Sequence, residues 1–447
     1  MMHGRLGGMW LMRSNLFGIL AVTIAGFLIT NRVEAQPIGS GFNGVGSEGL
    51  IDGGGIPGID GNSSWLGAPL GNPGKPGLFT FVEATILTQS WTLGNQTVAF
   101  RGLVDTTGVI TGLPGTYIGS GVKALETGDF GRSSWLPGIN IGIGYKLDDG
   151  STVHFRIMKQ TAHKYNAAAS GATPFARSRA DLSDTFLTAG VFNFPPQFAG
   201  PRRKTAFEGT RVGDILDIFG NIAFNQGIPL AIGRTVPDGA FYGIWNGASV
   251  MTIAYETDYT EAEIGGRVPL FESSSSKIYG LGGMRYHHFM ERFRWTSQSF
   301  AVDGNSGPQD FADYTNKLSQ RLYGPYAGCA HDVFLGNKFS LSAEMTGGVF
   351  ANVIRRSAKY ELGNETIQNK RSTNELGLSA TGGASASLWW YPTKGVQVRA
   401  GYQANTFWNT ERMRDPIAFN YGALDPVYGT QYFRIIHGLQ FGFSLFF

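Results

Sequence analysis

YFRIIHGLQFGFSLFF, residues 432–447, closes the chain and alternates with a period of two. Phe433, Ile435, His437, Leu439, Phe441, Phe443, Leu445 and Phe447 make one apolar face. Arg434, Ile436, Gly438, Gln440, Gly442, Ser444 and Phe446 make the other, which is mixed. Sixteen residues of alternation are long for a soluble strand and suit a tilted strand with lipid on one side and a polar lumen on the other. The competing reading is the last strand of a soluble sandwich. His437 lies on the apolar face near mid-strand, where an imidazole needs a neighbouring subunit or loop to cover it.

The rest of the chain decides between them. Its 447 residues would suggest two or three domains at about 150 residues each, a rule that closed barrels escape. Mean hydropathy is −0.08, which does not exclude a membrane barrel, because only alternate residues of such a barrel face lipid. Sixty-five glycines, 13% aromatic residues and only 15% charged residues fit many strands, tight turns and interfacial rings better than a helical enzyme or a disordered chain. At the N-terminus, Arg5 and Arg13 precede an apolar run, Leu16 to Ile29, and Val33-Glu34-Ala35 follows. This is the pattern of a secretory signal over residues 1–35, cleaved before Gln36. The run is short for a transmembrane anchor. Removing the signal takes a net +2 (Arg5, Arg13 and Arg32 against Glu34) from the formal +3, leaving +1, with no basic footprint for nucleic acid. Cys329, the single cysteine, cannot form an internal disulfide.

Residues 36–77 hold 14 glycines in 42 residues and read as a flexible leader rather than an ordered plug, since few side chains there offset the entropy of ordering. Strands then follow in order. Leu78 to Gln89 is the first, with Glu83 on the lumen parity. GINIGIGYKL, the turn Asp148-Asp149-Gly150 and STVHFRIMKQ form a hairpin. Further strands fall near Ala248 to Pro269, Lys277 to Thr296, Phe311 to Val333, Lys338 to Arg355, Thr373 to Tyr391, Val396 to Trp408 and Gln431 to Phe447. Residues 91–134 are turn-rich and polar and read as a long loop. Over 163–246 the alternation disappears, and a loop of that length usually has a job; Asp214 to Phe224 within it fits one face of a short helix packed in or over a barrel mouth, or an independent surface cap. Short connections alternate strictly with long ones. The expected fold over 78–447 is therefore an all-β transmembrane antiparallel up-and-down barrel of about ten strands, or twelve if the loops hide two, with short periplasmic turns and long outer loops. One flaw is visible: the apolar parity of Met251, Ile253 and Tyr255 switches to that of Ile264 and Val268, which calls for a bulge or for two strands.

From Lys277 onward the sequence resembles the planctomycete-type β-barrel porin families and the related Legionella-type pore-forming outer-membrane proteins. The resemblance is carried by Gly282-Gly283-Met284-Arg285-Tyr286 with Glu291-Arg292-Phe293, by NKLSQRLYGPYAG at Asn316 to Gly328, and by Arg399-Ala400-Gly401-Tyr402 with His437-Gly438-Leu439. Glu83 and Glu263 sit where related first and fourth strands carry a glutamate. About half the chain is covered. The resemblance implies a pore-forming outer-membrane barrel and no particular substrate.

On these parities the inward charges are Glu83, Lys146, Arg156, Glu263, Arg267, Arg285, Glu291, Glu344, Arg399 and Arg434. They read either as a lining that sets ion preference or as a salt-bridge network that fills and stiffens the barrel. Ten strands sit between the eight that side chains fill and the sixteen to eighteen of wide channels, so the pore is expected to be narrow. His287 and His288 are adjacent in a strand, point to opposite faces and cannot share one metal ion. No histidine has a nucleophile at a telling spacing, so no enzyme, metal or cofactor is expected. Trp389, Trp390, Tyr391, Phe407, Trp408, Phe446 and Phe447 read as interfacial girdles, with a sugar-stacking platform as the sharper alternative. The expected function is passive passage of small solutes or ions across the outer membrane of a Gram-negative-type bacterium. The rival is a non-conducting surface barrel for adhesion, scaffolding or envelope integrity. Expected partners are outer-membrane lipid and, through the terminal aromatic Phe447, the barrel-assembly machinery; a homo-oligomer is left open.

Overall fold

A computed structural model describes residues 76–105, 116–170, 185–189, 191, 229–230, 234–235, 244–298, 308 and 311–447, except for single positions at 274, 337, 366 and 419. The expected signal, almost all of the leader and the Asp214 to Phe224 helix lie outside the described residues.

Among the described residues, ten antiparallel staves close a ring. In chain order they are β1 (Gly77–Gln89), β4 (Leu136–Lys146), β5 (Thr152–Gln160) with its continuation β6 (His163–Ser170), β11 (Val250–Glu272), β12 (Ser276–Gln298), β13 (Phe311–Gly336), β14 (Phe339–Leu362), β15 (Ile367–Thr393), β16 (Val396–Asp415) and β17 (Val427–Phe446). β5 and β6 pair with successive halves of β11, Thr260–Arg267 and Val250–Thr257, so together they form one stave. The seam is β17 against β1, in register from Phe79↔Phe446 to Gln89↔Ile436. The Phe447 N–H donates to the Leu78 carbonyl at 2.9 Å, which extends the seam by one more hydrogen bond.

Alternation places the expected apolar stripe outward. Ile139, Ile141 and Ile143 of β4, Val153, Phe155 and Ile157 of β5, and Leu439, Phe441 and Phe443 of β17 are exposed. β4 has 11 residues, a length that crosses a bilayer core when tilted. β13 has 26 and must project well beyond it. That projection explains the parity switch in β11. There is no bulge at the switch, since pairing with β12 stays in step from Val250 to Pro269. Met251, Ile253 and Tyr255 are buried inside the barrel, whereas Ile264 and Val268 point out. The projecting half is built like a soluble protein, apolar within and polar without. β12 repeats the pattern: Arg285 and His287 face in at the short-turn half and Phe293 and Trp295 at the other, where Arg294 is exposed.

The longer strands shrink two connections. The expected 356–372 loop is mostly ladder, and β16 and β17 run past Trp408 and back from Val427 through three register shifts. The two long segments are not plain loops either. His163–Ser170 continues a stave. β2 (Thr97–Asp105) and β3 (Thr116–Glu126) pair with each other, β2 also pairs with β7 (Thr185–Ala189), and β7 with β10 (Asn246–Ala248), giving a second sheet of four strands. A ribbon of β8 (Pro229–Leu230) and β9 (Arg234–Thr235) stands apart. Leu93, Val98, Ala99, Leu125, Phe130, Leu187, Ile244 and Trp245 from these connections form one buried cluster with Tyr255, Phe293, Trp295, Tyr314, Tyr360 and Met413 of the staves. The connections thus cap the long-loop end with a buried apolar core.

Short turns close the other end. The Asp149 carboxylate accepts the Ser151 N–H at 2.8 Å and its hydroxyl at 3.0 Å, which holds that carboxyl below its usual range. Gly150 follows with φ 81°, a left-handed value that favours glycine. On β4, Gly142 and Gly144 face in beneath the rings of Phe81 and Phe79; a Cβ there would come within 2.3 Å of either ring.

Candidate functional site

The inward faces sort into three levels. Nearest the short turns lies a polar cavity of about 190 Å³ that reaches the rim, where Gly150 and Phe446 are among its walls. Its centre is Glu263. One oxygen accepts Arg156 and Arg285, each at 2.7 Å, and the other accepts Tyr326 at 2.7 Å and meets His154 at 2.9 Å. Arg156 also reaches Glu261 at 2.6 Å. Across the cavity Glu83 joins Arg399 at 2.9 Å and Asn140 at 2.7 Å. Arg267 lies 3.4 Å from Asp332 and 3.7 Å from Glu344. Small residues on the β15 wall, Gly383, Ala384 and Ser385, leave the room that long side chains opposite do not fill. Lys146 is buried near the rim, outside the cavity's walls.

Above the cavity Leu87, Met158, Tyr259, Phe289, Leu322, Phe350, Phe407 and Ile436 form an apolar layer across the lumen. Tyr259 donates to Glu261 at 2.8 Å, tying the layer to the charges below. Between this layer and the cap sits a sealed ion pair. Arg434 and Glu291 are 2.5 Å apart, with each side chain only 1% exposed. Arg434 also donates to the Glu411 carbonyl at 3.0 Å and lies over the Phe289 ring at 4.6 Å, while the Met413 N–H donates to Glu291. Arg356 joins Glu411 next to it.

All ten charges expected inside the barrel point inward, and the geometry divides them. Glu83, Arg156, Glu263, Arg267, Arg285, Glu344 and Arg399 surround one cavity, Lys146 sits near its rim, and Glu291 with Arg434 is enclosed between apolar layers. Glu261, Asp332, His154, Arg356 and Glu411 were not singled out from the sequence. Glu261 shares its parity with Glu263, so that signal was there to read; Glu411 lies past Trp408, where the expected strand stopped. The girdle reading needs a correction. Trp390, Trp408 and Phe447 are exposed outside, but alternation sends their neighbours in: Phe407 joins the apolar layer, and Trp389, Tyr391 and Phe446 line the cavity. His287 is buried inside and His288 bonds Ser319 on the outer side, at 3.1 Å. His437 is covered, as its face requires: Tyr402 meets its Nδ1 at 2.6 Å and Trp135 stands edge-on at 5.7 Å. Among the described residues no three His, Cys, Asp or Glu side chains are arranged to hold a metal ion.

No family model and no curated protein matches the chain. Solved structures do. The chain is similar to the outer-membrane protease OmpT from Escherichia coli, at 9% identity over 83% of this chain and 97% of that one, with a TM-score of 0.36. It is similar to the P. putida toluene transporter TodX, at 8% identity over 87% and 95%, with a TM-score of 0.24. The CymD monoaromatic hydrocarbon channel gives 10% identity over 83% and 88%, with a TM-score of 0.24. At such values these likenesses carry no argument about activity. The barrel rests on its own strand pairing, and the resemblance to the planctomycete-type and Legionella-type families rests on the sequence motifs alone.

Proposed function

We propose that the chain is an outer-membrane barrel through which small polar solutes pass, that its lumen is entered from the short-turn side, and that the apolar levels above keep it closed at rest. The observation that carries this is the cavity around Glu263, Arg285 and Arg399, which reaches the short-turn rim and meets an apolar layer at its other end. The exposed apolar belt over the short-turn half supports the membrane reading, because a soluble barrel would leave this large area in water. Passage then requires the interior layer and the cap to move. The sealed Glu291–Arg434 pair favours one second reading, a non-conducting barrel whose capped end serves adhesion or envelope integrity. Planar-bilayer recording separates them. The wild type is expected to give rare, brief openings, and Phe289→Ser with Phe407→Ser long-lived steps. A folded, inserted double variant that stays silent would leave only the second reading.

The lining is expected to act where it meets the cavity. In the opened barrel, Arg399→Gln should move the reversal potential toward cation preference; an unchanged potential would make the Glu83–Arg399 pair structural. Glu291, being sealed, is not expected to set selectivity.

The role in assembly proposed for Phe447 is separable from stability. Deleting it removes one seam hydrogen bond, worth about 1 kcal/mol net, and a ring that is 74% exposed. Insertion in cells is expected to fall several-fold while the unfolding midpoint of refolded protein barely moves. Equal insertion would remove Phe447 as a recognition signal for the assembly machinery.

A further inference from the structure

The outer surface has a boundary where the apolar belt gives way to polar residues, and aromatic rings mark it: Tyr286 and Tyr323 lie 4.9 Å apart, Trp408 and Phe433 5.6 Å. Just above this line most cations have a carboxylate. Arg292 meets Glu256 at 3.3 Å, Arg294 meets Asp313 at 2.5 Å, Lys159 meets Asp258 at 2.5 Å, and Lys359 pairs with Glu361. Arg321, Lys317 and Arg355 break the pattern. They face outward, with Lys317 and Arg355 exposed and Leu318, Gln320 and Ile354 between them buried. None of the three has an ion-pair or hydrogen-bond partner among the described residues.

The ladder holds them together. Arg321 pairs with Val353, Ser319 with Arg355 and Lys317 with Ser357, so Arg355 is one diagonal step from each of the other two, roughly 7–8 Å at the backbone. Three cations this close repel one another unless an anion lies among them. Immediately below, on the same strands, the outward positions are Tyr323, Val353, Ala351 and Val349, an apolar strip running down the belt.

We propose that this rim of β13 and β14 docks a multiply phosphorylated, multi-acyl lipid of the surrounding leaflet. Its phosphates lie among Arg321, Arg355 and Lys317, and its chains lie along the strip beneath. Guanidinium forks suit phosphate oxygens, and the strip selects an anion that carries acyl chains over one free in water. The proposal rests on the membrane reading above.

Native mass spectrometry of the refolded full chain tests it with bis-phosphorylated lipid A, the same lipid without phosphates, and inorganic pyrophosphate. The wild type should hold the phosphorylated lipid at least about tenfold more tightly than either of the others, the effect of one charge-assisted contact or more. Arg321→Gln with Arg355→Gln and Lys317→Gln should remove that preference, whereas Arg294→Gln with Lys359→Gln, which changes paired cations, should keep it. Equal binding of the two lipids, a triple variant that binds like the wild type, or pyrophosphate binding as tightly as the lipid would each overturn the site. Tryptophan quenching by lipids brominated in their tails keeps the two readings apart. Quenching without lipid preference sinks the docking site alone; no quenching of the folded barrel sinks the membrane placement as well.

Discussion

Glu291→Ala is expected to cost about 3–5 kcal/mol of barrel stability, because it leaves Arg434 charged, buried and without its carboxylate. Arg434 is 1% exposed, as is its partner. A backbone carbonyl and the Phe289 ring are its other contacts. The pair spans the lumen from β12 to β17, and the Met413 N–H donates to the same glutamate from β16, so the loss falls on three staves at once. Replacing both charges, Glu291→Leu with Arg434→Met, should recover most of the loss, since well-packed apolar residues often match a buried ion pair. Denaturant unfolding in lipid vesicles measures both. A single change that costs less than about 1 kcal/mol, the scale of an exposed pair, would mean that water enters this level.

Trp295→Ala is expected to act on the cap with a similar loss, about 3–5 kcal/mol, and with a change in conductance that Glu291→Ala does not share. Trp295 is fully buried, its ring 4.2 Å from that of Trp245, which in turn lies 5.7 Å from Tyr360. Trp245 belongs to the long connection and the other two to staves, so this contact fastens cap to wall. Without it the cap should swing, and the frequency of openings in a planar bilayer should rise several-fold over the wild type. Trp408→Ala, at a ring 45% exposed on the outer face, is the control that should leave conductance as it was. Equal conductance of a folded Trp295→Ala barrel would place the closure in the layer around Phe289 and Phe407 instead.

The ring itself was legible. Period-two alternation in Tyr432–Phe447 and in the hairpin around Asp149-Gly150 fixes which side chains share a face, and the order of short and long connections fixes how staves close. Alternation does not say which face meets lipid. For Leu439, Phe441 and Phe443 the apolar face is the outer one; for Met251, Ile253 and Tyr255 it is the inner one, because their half of β11 projects beyond the belt and hides its apolar side as soluble proteins do. The same ambiguity turned Phe407 from an expected girdle into a lumen layer. Glu411 and Arg356 were missed because polar outward residues such as Lys359 and Arg414 make projecting strand ends look like loop. The four-stranded cap was not legible at all. β2 finds its second partner near residue 187, and that strand in turn pairs near residue 247; no local periodicity encodes pairings that distant.

The division of the lumen can be read most directly by thiol accessibility, with Cys329→Ser as background and the barrel oriented in vesicles. Ser385→Cys, in the cavity wall, should react with a small charged thiol reagent added on the short-turn side, react at least about tenfold more slowly from the long-loop side, and Ser379→Cys, at a position 1% exposed, should react from neither. Labelling of Ser385→Cys at equal rates from both sides would show an open channel through the levels described as closed, and would contradict the account.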